Sequence, residues 1–403
     1  MVRNWAELGL NSTHLNVYPV DGQLTLSPDL SRAIADFVEM SDRHGLRVGV
    51  RLDSLDETKL WTMHPANPQN RRSEYLGWVK EVAGLLKGKT AYYVLGDELT
   101  LKQPAPNLPA EAWTPQLYLA YFKEVAGAIK AVDPAARVCM FGASSGEWFN
   151  VLWMLENGYA EVGDGVAINH YDYKAVPKFI ADRDRLAPGK LFLTNGVGYI
   201  SAGTAEPRYP VWDPYSKHPT EQSHAAAIAR TMFTWWDLGA DVAPYYISLR
   251  NWEIDGKVYP RWYGFFGFED FVVKDDQLSV RRYPGWHAFR TITHTFYNRE
   301  QWRPAEFELK TDRSMARASA MIRGIPDSGG AEELILMLWD DAPRAGRVRV
   351  TLATGAYRHP VQIDLYDHTK WSDVPADRVG TGSLTLHVDV GAEPVIIRLF
   401  KTP

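Results

Sequence analysis

Residues 90–98 have the sequence TAYYVLGDE, an apolar run that ends in a glycine and two adjacent carboxylates. The length of the run and its aromatic and β-branched side chains predict a buried strand. Burying ionised carboxylates without partners is costly, so Asp97 and Glu98 are expected to be either solvated or held in place for a function. Which of these applies depends on the elements that surround the strand.

Six further apolar runs alternate with segments whose apolar residues recur about every 3.6 positions. Strands that are buried on both faces and separated by helices indicate a parallel sheet. These runs are THLNVYPV (13–20), LRVGVRLD (46–53), RVCMFGASS (137–145), GVAINHYDY (165–173), KLFLTNGVGY (190–199) and VAPYYISLRN (242–251). The first helix is predicted to begin at Ser27 and Pro28 and to end at Gly45. The other helices are predicted around residues 75–86, 117–132, 147–155 and 221–238.

Seven such strands favour a (β/α)8-type TIM barrel, an α/β fold, over an open doubly wound sheet. Each run ends in polar or aromatic residues, as expected where an active site is built from the carboxyl ends of barrel strands. An eighth strand has no counterpart, because the chain begins with a predicted helix before LNSTHLNV (10–17). We therefore expect either a barrel without its first strand or a sequence truncated upstream.

The pattern changes after WHAFRTITHTF (286–296). From about residue 305 the runs are short, alternating and separated by turn residues, which predicts an antiparallel β-sandwich. The runs are FELKT, ARASAMI, LILMLWDD, RVRVTLA, VQIDLYD, LTLHVDV and PVIIRLF. We predict a barrel over residues 1–300 and a sandwich over residues 301–403, in which the sandwich supports the barrel.

The composition narrows the range of partners. Lys and Arg number 44 against 49 Asp and Glu, with no block of like charge, so neither nucleic acid nor an anionic membrane is expected as a partner. Cys139, the one cysteine, lies in an apolar run and is predicted to be buried and unpaired. No motif implies a metal or another cofactor. The oligomeric state and the compartment stay open, and no signal peptide is evident.

Several motifs, in order, resemble the clan A glycoside hydrolases. VLGDE (94–98) is similar to the Gly-Asn-Glu that ends the fourth barrel strand of the clan. GLNSTHLNV (9–17) is similar to its Gly-x-Asn lead into the second strand, and INHYDY (168–173) to its His-x-Tyr region on the sixth. A barrel followed by a small β-sandwich is found in the xylosidase-like families. The resemblance covers nearly the whole chain and implies a glycosidase for β-linked glycans, with Glu98 as the general acid/base.

Glycoside cleavage requires an acid that protonates the leaving oxygen and a second group that stabilises or attacks the sugar cation. His170 and Tyr173 are predicted to orient the site through hydrogen bonds, with Asp53 beside them. Aromatic residues that follow strand ends are candidate platforms for sugar rings, and a core position is the alternative for each. These candidates are Tyr18, Trp61, Trp148, Tyr199 and Trp252.

The chain departs from the clan at two positions. Asp97 stands where the clan has Asn, and TNGVG (194–198) stands where strand seven has Thr-Glu-x-Gly, so Asn195 replaces the nucleophile. An amide cannot form a glycosyl-enzyme intermediate. Asn195 is therefore expected to take a different part in catalysis, or the chain lacks hydrolytic activity.

Three explanations stay open. Catalysis is substrate-assisted on N-acetylhexosamine sugars, with Asp97 polarising the acetamido group and Asn195 bonding it. Alternatively, another carboxylate replaces the nucleophile, for which the candidates are Asp53, Asp172, Glu253 and Asp255. In the third, the barrel binds glycans and is impaired in hydrolysis. A deliberate substitution at Asn195 would also account for the sequence.

A competing motif predicts a different hydrolase. GASSG (142–146) matches the Gly-x-Ser-x-Gly nucleophile elbow, in which Ser144 would act with His224 or His287 in a serine esterase. The sequence has no glycine-rich oxyanion loop upstream of this motif, and an esterase leaves the predicted sandwich unexplained. The glycosidase is therefore the favoured interpretation.

Overall fold

The structure is a computed structural model, and it describes most of the chain. The described residues are 2–19, 23–52, 70–96, 114–144, 147–169, 176–196, 220–241, 249–260, 268–296, 302–305, 307–310, 316–325, 329–340, 346–352, 357–379, 383–391 and 393–401. The chain forms two compact units, Met1–Val197 with Gly239–Pro244 and Gly198–Leu238 with Tyr245–Pro403. The predicted boundary at residues 300 and 301 lies outside the described residues and stays a prediction.

The described part of the first unit is built from alternating strands and helices. Its strands are β1 (Ser12–Val17), β2 (Arg47–Leu52), β3 (Thr90–Leu95), β4 (Val138–Ser144), β5 (Gly165–Asn169) and β6 (Leu191–Gly196). Its helices are α1 (Val2–Glu7), α2 (Pro28–Arg43), α3 (Arg72–Leu86), α4 (Pro115–Val132), α5 (Trp148–Glu156) and α6 (Val176–Leu186), with a 3-10 turn at Tyr159–Glu161. The first six predicted strands are therefore confirmed, whereas α6 was not predicted.

The six strands pair in parallel and in the order of the sequence. Right-handed crossovers between sequential parallel strands put every connecting helix on the same face of the sheet. Consecutive helices from α2 to α6 accordingly contact one another. This is the arrangement of a TIM-like barrel and not of a doubly wound sheet. In the described residues β1 and β6 are the two ends of the sheet, so the missing first strand stays a prediction.

Helix α2 shows how the sequence sets these elements. The Ser27 hydroxyl accepts a hydrogen bond from the Leu30 amide at 3.2 Å, and Pro28 occupies the first helical position. Gly45 follows the helix with φ +71, a conformation that costs glycine little. The start and end predicted for this helix are confirmed.

The two faces of the parallel sheet carry different side chains. Phe141 and Phe192 face the helices, where their rings contact Tyr118 and Trp148 respectively. The opposite face, here called the inner face, carries a buried cluster. Its members are Tyr92, Val94, Cys139, Ala167 and Leu193. Cys139 is buried and unpaired, as predicted.

The second unit begins, in its described part, with α7 (Glu221–Asp237) and contains a small mixed sheet. That sheet has the order β10-β9-β7-β8 and is followed by α8 (Pro284–Thr295). Its strands are β7 (Leu249–Ile254), β8 (Lys257–Pro260), β9 (Glu269–Lys274) and β10 (Gln277–Arg282). The run predicted at 242–251 overlaps β7 only at its end, and residues 242–248 lie outside the described residues.

The rest of the second unit is an antiparallel β-sandwich, as predicted. One sheet has the order β11-β13-β14-β20-β16-β17 and the other β12-β15-β19-β18. The strands are β11 (Arg303–Pro304), β12 (Glu308–Lys310), β13 (Ala316–Gly324), β14 (Glu332–Asp340), β15 (Gly346–Leu352), β16 (Tyr357–Asp364), β17 (Asp367–Asp373), β18 (Ala376–Val379), β19 (Ser383–Val390) and β20 (Val395–Lys401). Alternate residues of both sheets, such as Leu336 and Leu386, share one buried core. No described helix of either unit is long and apolar enough to cross a membrane.

Candidate active site

The carboxyl ends of the six parallel strands share one edge of the sheet, where barrel enzymes have their active sites. β3 ends at Leu95 and is followed by Gly96, which has φ +98. Asp97 and Glu98 come next in the chain, Asp53 directly follows β2, and His170 directly follows β5. In sequence, therefore, each of these candidates is attached to a strand end at this edge.

The placement of most predicted site residues lies outside the described part of the chain. These residues are Asp53, Trp61, Asp97, Glu98, His170, Asp172, Tyr173 and Tyr199. Asn195 lies in β6 at a position that the pairing with β5 skips, and its side chain lies outside the described part of the chain. The roles of all of them stay predictions.

Strand β1 contributes two polar residues that the sequence analysis missed. His14 pairs in register with Gly49, and Asn16 pairs with Arg51. The ring of Tyr92, a member of the inner face, lies over Gly49, where a Cβ atom would be 2.6 Å from the Tyr92 Cζ. Paired residues of neighbouring strands share a face, so His14 and Asn16 also lie on the inner face.

His14 is held as a neutral imidazole. Burial, together with the positive charge of Arg51, lowers the pKa of His14 to about 4, against the opposing effect of its hydrogen bond with Asn16. That bond joins His14 Nε2 and Asn16 Oδ1 at 3.1 Å. Tyr18, one residue beyond β1, is 53% exposed. His14 and Asn16 therefore give the inner face a neutral imidazole and an amide, and Tyr18 adds an exposed ring just beyond the end of β1.

Trp148, predicted as a sugar platform, is a core residue instead. Its side chain is 3% exposed, and its ring centroid lies 4.6 Å from that of Phe179 on α6. Its Nε1 donates a hydrogen bond to Asp182 at 3.0 Å. A sugar cannot reach a ring that is covered in this way, so the prediction for Trp148 is wrong.

Three candidates lie on the small mixed sheet of the second unit. Trp252 is partly exposed and contacts Phe271 edge-to-face at 5.1 Å. Glu253 forms an ion pair with Arg281 at 3.1 Å. Asp255 lies in the two-residue turn between β7 and β8 with φ 49, followed by Gly256 with φ 79. Asp-Gly is the preferred sequence for such a hairpin turn, which gives Asp255 a structural role.

The esterase candidates receive no support from the described residues. Ser144 is the last residue of β4, and its side chain lies outside the described part. His224 on α7 is 1% exposed. His287 on α8 has a lowered pKa because it is partly buried and lies near Arg282 and Arg290. The described residues also contain no group of three or more potential metal ligands.

Comparisons with known proteins identify the fold. No family model matches the chain, and no curated protein matches it in sequence. A family 30 endoxylanase from Clostridium papyrosolvens C71 is similar in structure, with 12% identity and a TM-score of 0.60 over 100% of this chain and 92% of that one. A glucosidase from Croceicoccus marinus has 14% identity and a TM-score of 0.55 over 100% and 92% of the two chains.

A third structure, the family 51 α-L-arabinofuranosidase of Bifidobacterium longum, has 12% identity and a TM-score of 0.55 over 99% of this chain and 89% of that one. A family 39 enzyme from Xanthomonas axonopodis pv. citri is also similar, with a TM-score of 0.54. The neighbours are clan A glycoside hydrolases, and identities this low show the fold alone. The chain therefore has the barrel-and-sandwich fold of that clan.

Proposed function

We propose that this protein is a glycoside hydrolase that cleaves β-linked oligo- or polysaccharides with Glu98 as its general acid/base. The observation that carries the proposal is the position of Glu98 in the chain. It comes three residues after the end of β3, at the carboxyl edge of a TIM-like parallel sheet, where barrel enzymes place their catalytic groups. The structural neighbours, described as xylanase and glucosidase, support the same class of reaction.

The inner face near β1 supports a carbohydrate ligand. Sugars present hydroxyl groups that exchange hydrogen bonds and C–H faces that pack on aromatic rings. A neutral imidazole both donates and accepts a hydrogen bond, and an amide does the same. His14 and Asn16 therefore suit hydroxyl recognition, and the exposed ring of Tyr18 suits stacking.

On the resemblance to the clan, Asn195 stands in the sequence where the nucleophile Glu is expected, so the proposed second catalytic group differs from that of the clan. Two of the alternative carboxylates have other partners or roles: Glu253 is paired with Arg281, and Asp255 forms a hairpin turn. Asp53 and Asp172 remain as replacement candidates. The other route is substrate assistance, in which Asp97 and Asn195 hold the acetamido group of an N-acetylhexosamine while Glu98 protonates the leaving oxygen.

A panel of aryl glycosides that includes N-acetylhexosaminides tests the proposal. We expect turnover by the natural chain, and a loss of about 100-fold or more in kcat for Glu98→Gln on substrates with poor leaving groups. Glu39→Gln, on the exposed surface of α2, is the control and should leave turnover unchanged. Unchanged turnover in Glu98→Gln would remove the acid/base assignment. Turnover of N-acetylhexosaminides alone would select substrate assistance.

A glycan-binding barrel that is impaired in hydrolysis is the second candidate, favoured by the amide at position 195. It predicts saturable binding of a polysaccharide with no release of reducing ends. Calorimetric titration with the same glycans, in parallel with a reducing-end assay, separates the two candidates. In the binding-only case Asn195→Glu should create measurable hydrolysis, because it restores a nucleophile of the clan type.

A further inference from the structure

Strand β4 has an irregularity at its centre. Its register against β5 shifts between Cys139 and Gly142. Two consecutive amides in this segment donate to phenol oxygens and not to neighbouring strands. The Met140 amide donates to the Tyr159 hydroxyl at 2.8 Å, and the Phe141 amide donates to the Tyr118 hydroxyl at 2.8 Å.

Each of these tyrosines also holds a neighbouring strand. The Tyr118 hydroxyl donates to the Leu95 carbonyl at 2.7 Å, and the Tyr159 hydroxyl donates to the Gly165 carbonyl. Both side chains are fully buried, and burial raises the pKa of both phenols, so they stay protonated donors. The two residues are chemically equivalent bridges, but Tyr118 ties β4 to the carboxyl end of β3, whereas Tyr159 ties it to the amino end of β5.

The Leu95 carbonyl lies where the backbone leaves strand β3. It belongs to the last residue of β3 and is followed by Gly96, whose φ of +98 is open only to glycine at low cost. The Gly96 carbonyl accepts a second bond from the Gly142 amide at 3.3 Å. These two bonds fix the path of the backbone immediately before Asp97 and Glu98. Tyr118 is itself held by edge-to-face packing on Phe141 at 4.8 Å.

We propose that Tyr118 is a positioning residue for Glu98, because its hydroxyl fixes the strand end from which that carboxyl group extends. The proposal rests on the proposed function of Glu98. A catalytic group displaced by about 1 Å can lose on the order of 100-fold in rate. The rate should fall in the step that needs protonation of the leaving group, because Tyr118 holds the backbone segment that carries Glu98.

Tyr118→Phe and Tyr159→Phe form a matched pair for the test. Each variant keeps the buried ring and removes one bridging hydroxyl, so the two should lose similar thermal stability. On an aryl glycoside with a poor leaving group, Tyr118→Phe should lower kcat about 10- to 100-fold with little change in KM, while Tyr159→Phe stays near the natural rate. Dinitrophenolate departs without protonation, so on a dinitrophenyl glycoside the loss of Tyr118→Phe in kcat/KM, which reports the steps up to departure of the aglycone, should largely disappear.

A structural readout makes the test independent of activity. Backbone hydrogen exchange in a peptide that covers residues 94–99 should rise in Tyr118→Phe and stay unchanged in Tyr159→Phe. Equal activity losses in the two variants, a loss that is the same for all leaving groups, or unchanged exchange at 94–99 would each overturn the proposal. If the natural chain cleaves no glycoside, the proposed function fails, and the exchange experiment still decides whether Tyr118 fixes this strand end.

Gly96→Ala provides a second variant if Tyr118→Phe does not fold. It leaves both tyrosines in place but strains the same backbone, because alanine rarely adopts a φ near +98. The same dependence on the leaving group is expected. A uniform loss on all substrates would contradict the idea that the end of β3 positions the acid.

Discussion

Replacing Glu333 on β14 is expected to destabilise the sandwich. Glu333 is 2% exposed and lies between two arginines from neighbouring strands. Arg323 donates from Nε to Oε2 at 2.8 Å, and a terminal nitrogen of the same guanidinium lies 2.7 Å from Oε2 as an ion pair. Arg398 donates from Nε to Oε1. Each guanidinium also lies near a tryptophan ring, Arg323 at 4.7 Å from Trp302 and Arg398 at 5.4 Å from Trp371.

The magnitude of the effect follows from this geometry. Removing one partner of a buried ion pair costs about 3–5 kcal/mol, since the remaining charge is left without compensation. The side chains of Arg323 and Arg398 are 20% and 19% exposed, so water can partly solvate them. We therefore expect Glu333→Gln to lower the free energy of unfolding by about 3 kcal/mol. For a unit of about 200 residues this corresponds to a fall in Tm of about 6–12 °C.

Thermal unfolding followed by circular dichroism, with chemical denaturation as a second measurement, tests this value. Glu332→Gln is the matched control, because Glu332 is the preceding residue of β14 and also pairs with two cations. Its partners are Arg303 at 2.6 Å and Lys401 at 2.9 Å, which are 65% and 36% exposed. Pairs of this kind contribute about 1 kcal/mol or less. A loss below 1 kcal/mol in Glu333→Gln, or equal losses in the two variants, would refute the reasoning.

Three further predictions concern the first unit. Tyr18→Ala should raise the KM or Kd for a glycan severalfold without changing Tm, because the ring is 53% exposed. Trp148→Phe should lower the free energy of unfolding by about 1–3 kcal/mol, through loss of the bond to Asp182 and of buried ring volume, and leave glycan binding unchanged. The free energy of unfolding should also fall as the pH is lowered from 6.5 to 4. The pKa of His14 is about 4 in the folded chain, so across this range the imidazole is protonated in the unfolded chain and neutral in the folded chain. Stability measured against pH should show a smaller fall in His14→Asn, and an identical fall would assign the effect to other groups.

Periodicity was sufficient to predict the parallel sheet and the sandwich, since their strands bury regular apolar patterns. It failed for the small mixed sheet of the second unit. Strands β9 and β10 combine charged and apolar residues in stretches of six, and they lie close to a helix that dominates the local pattern. The Asp-Gly pair at 255 and 256 was a usable signal, because it marks the hairpin between β7 and β8.

The sequence predicted the strand ends at which the candidate residues lie, but it did not predict which single side chains are accessible to a ligand. The rule that aromatic residues near a strand end face the ligand selected both Tyr18 and Trp148. The sequence does not show which side of the first turn of α5 meets α6, and that contact buries Trp148. His14 and Asn16 were missed, although polar residues two positions apart within a barrel strand are a signal of one shared face.

The two ends of the parallel strands offer different backbone groups to acidic residues. At the amino ends, backbone N–H groups face outward and carboxylates can accept from them: Asp164 accepts from Val138 at 2.8 Å, and Asp241 accepts from Phe192 at 2.7 Å. At the carboxyl ends the free backbone groups are carbonyl oxygens, which cannot donate to a carboxylate. Donors for acidic residues that follow these strands therefore come from outside the strands, from N–H groups of loops and helix N-termini, side chains, water or substrate. We predict that side chains, water or substrate balance part of the charge of Asp97 and Glu98.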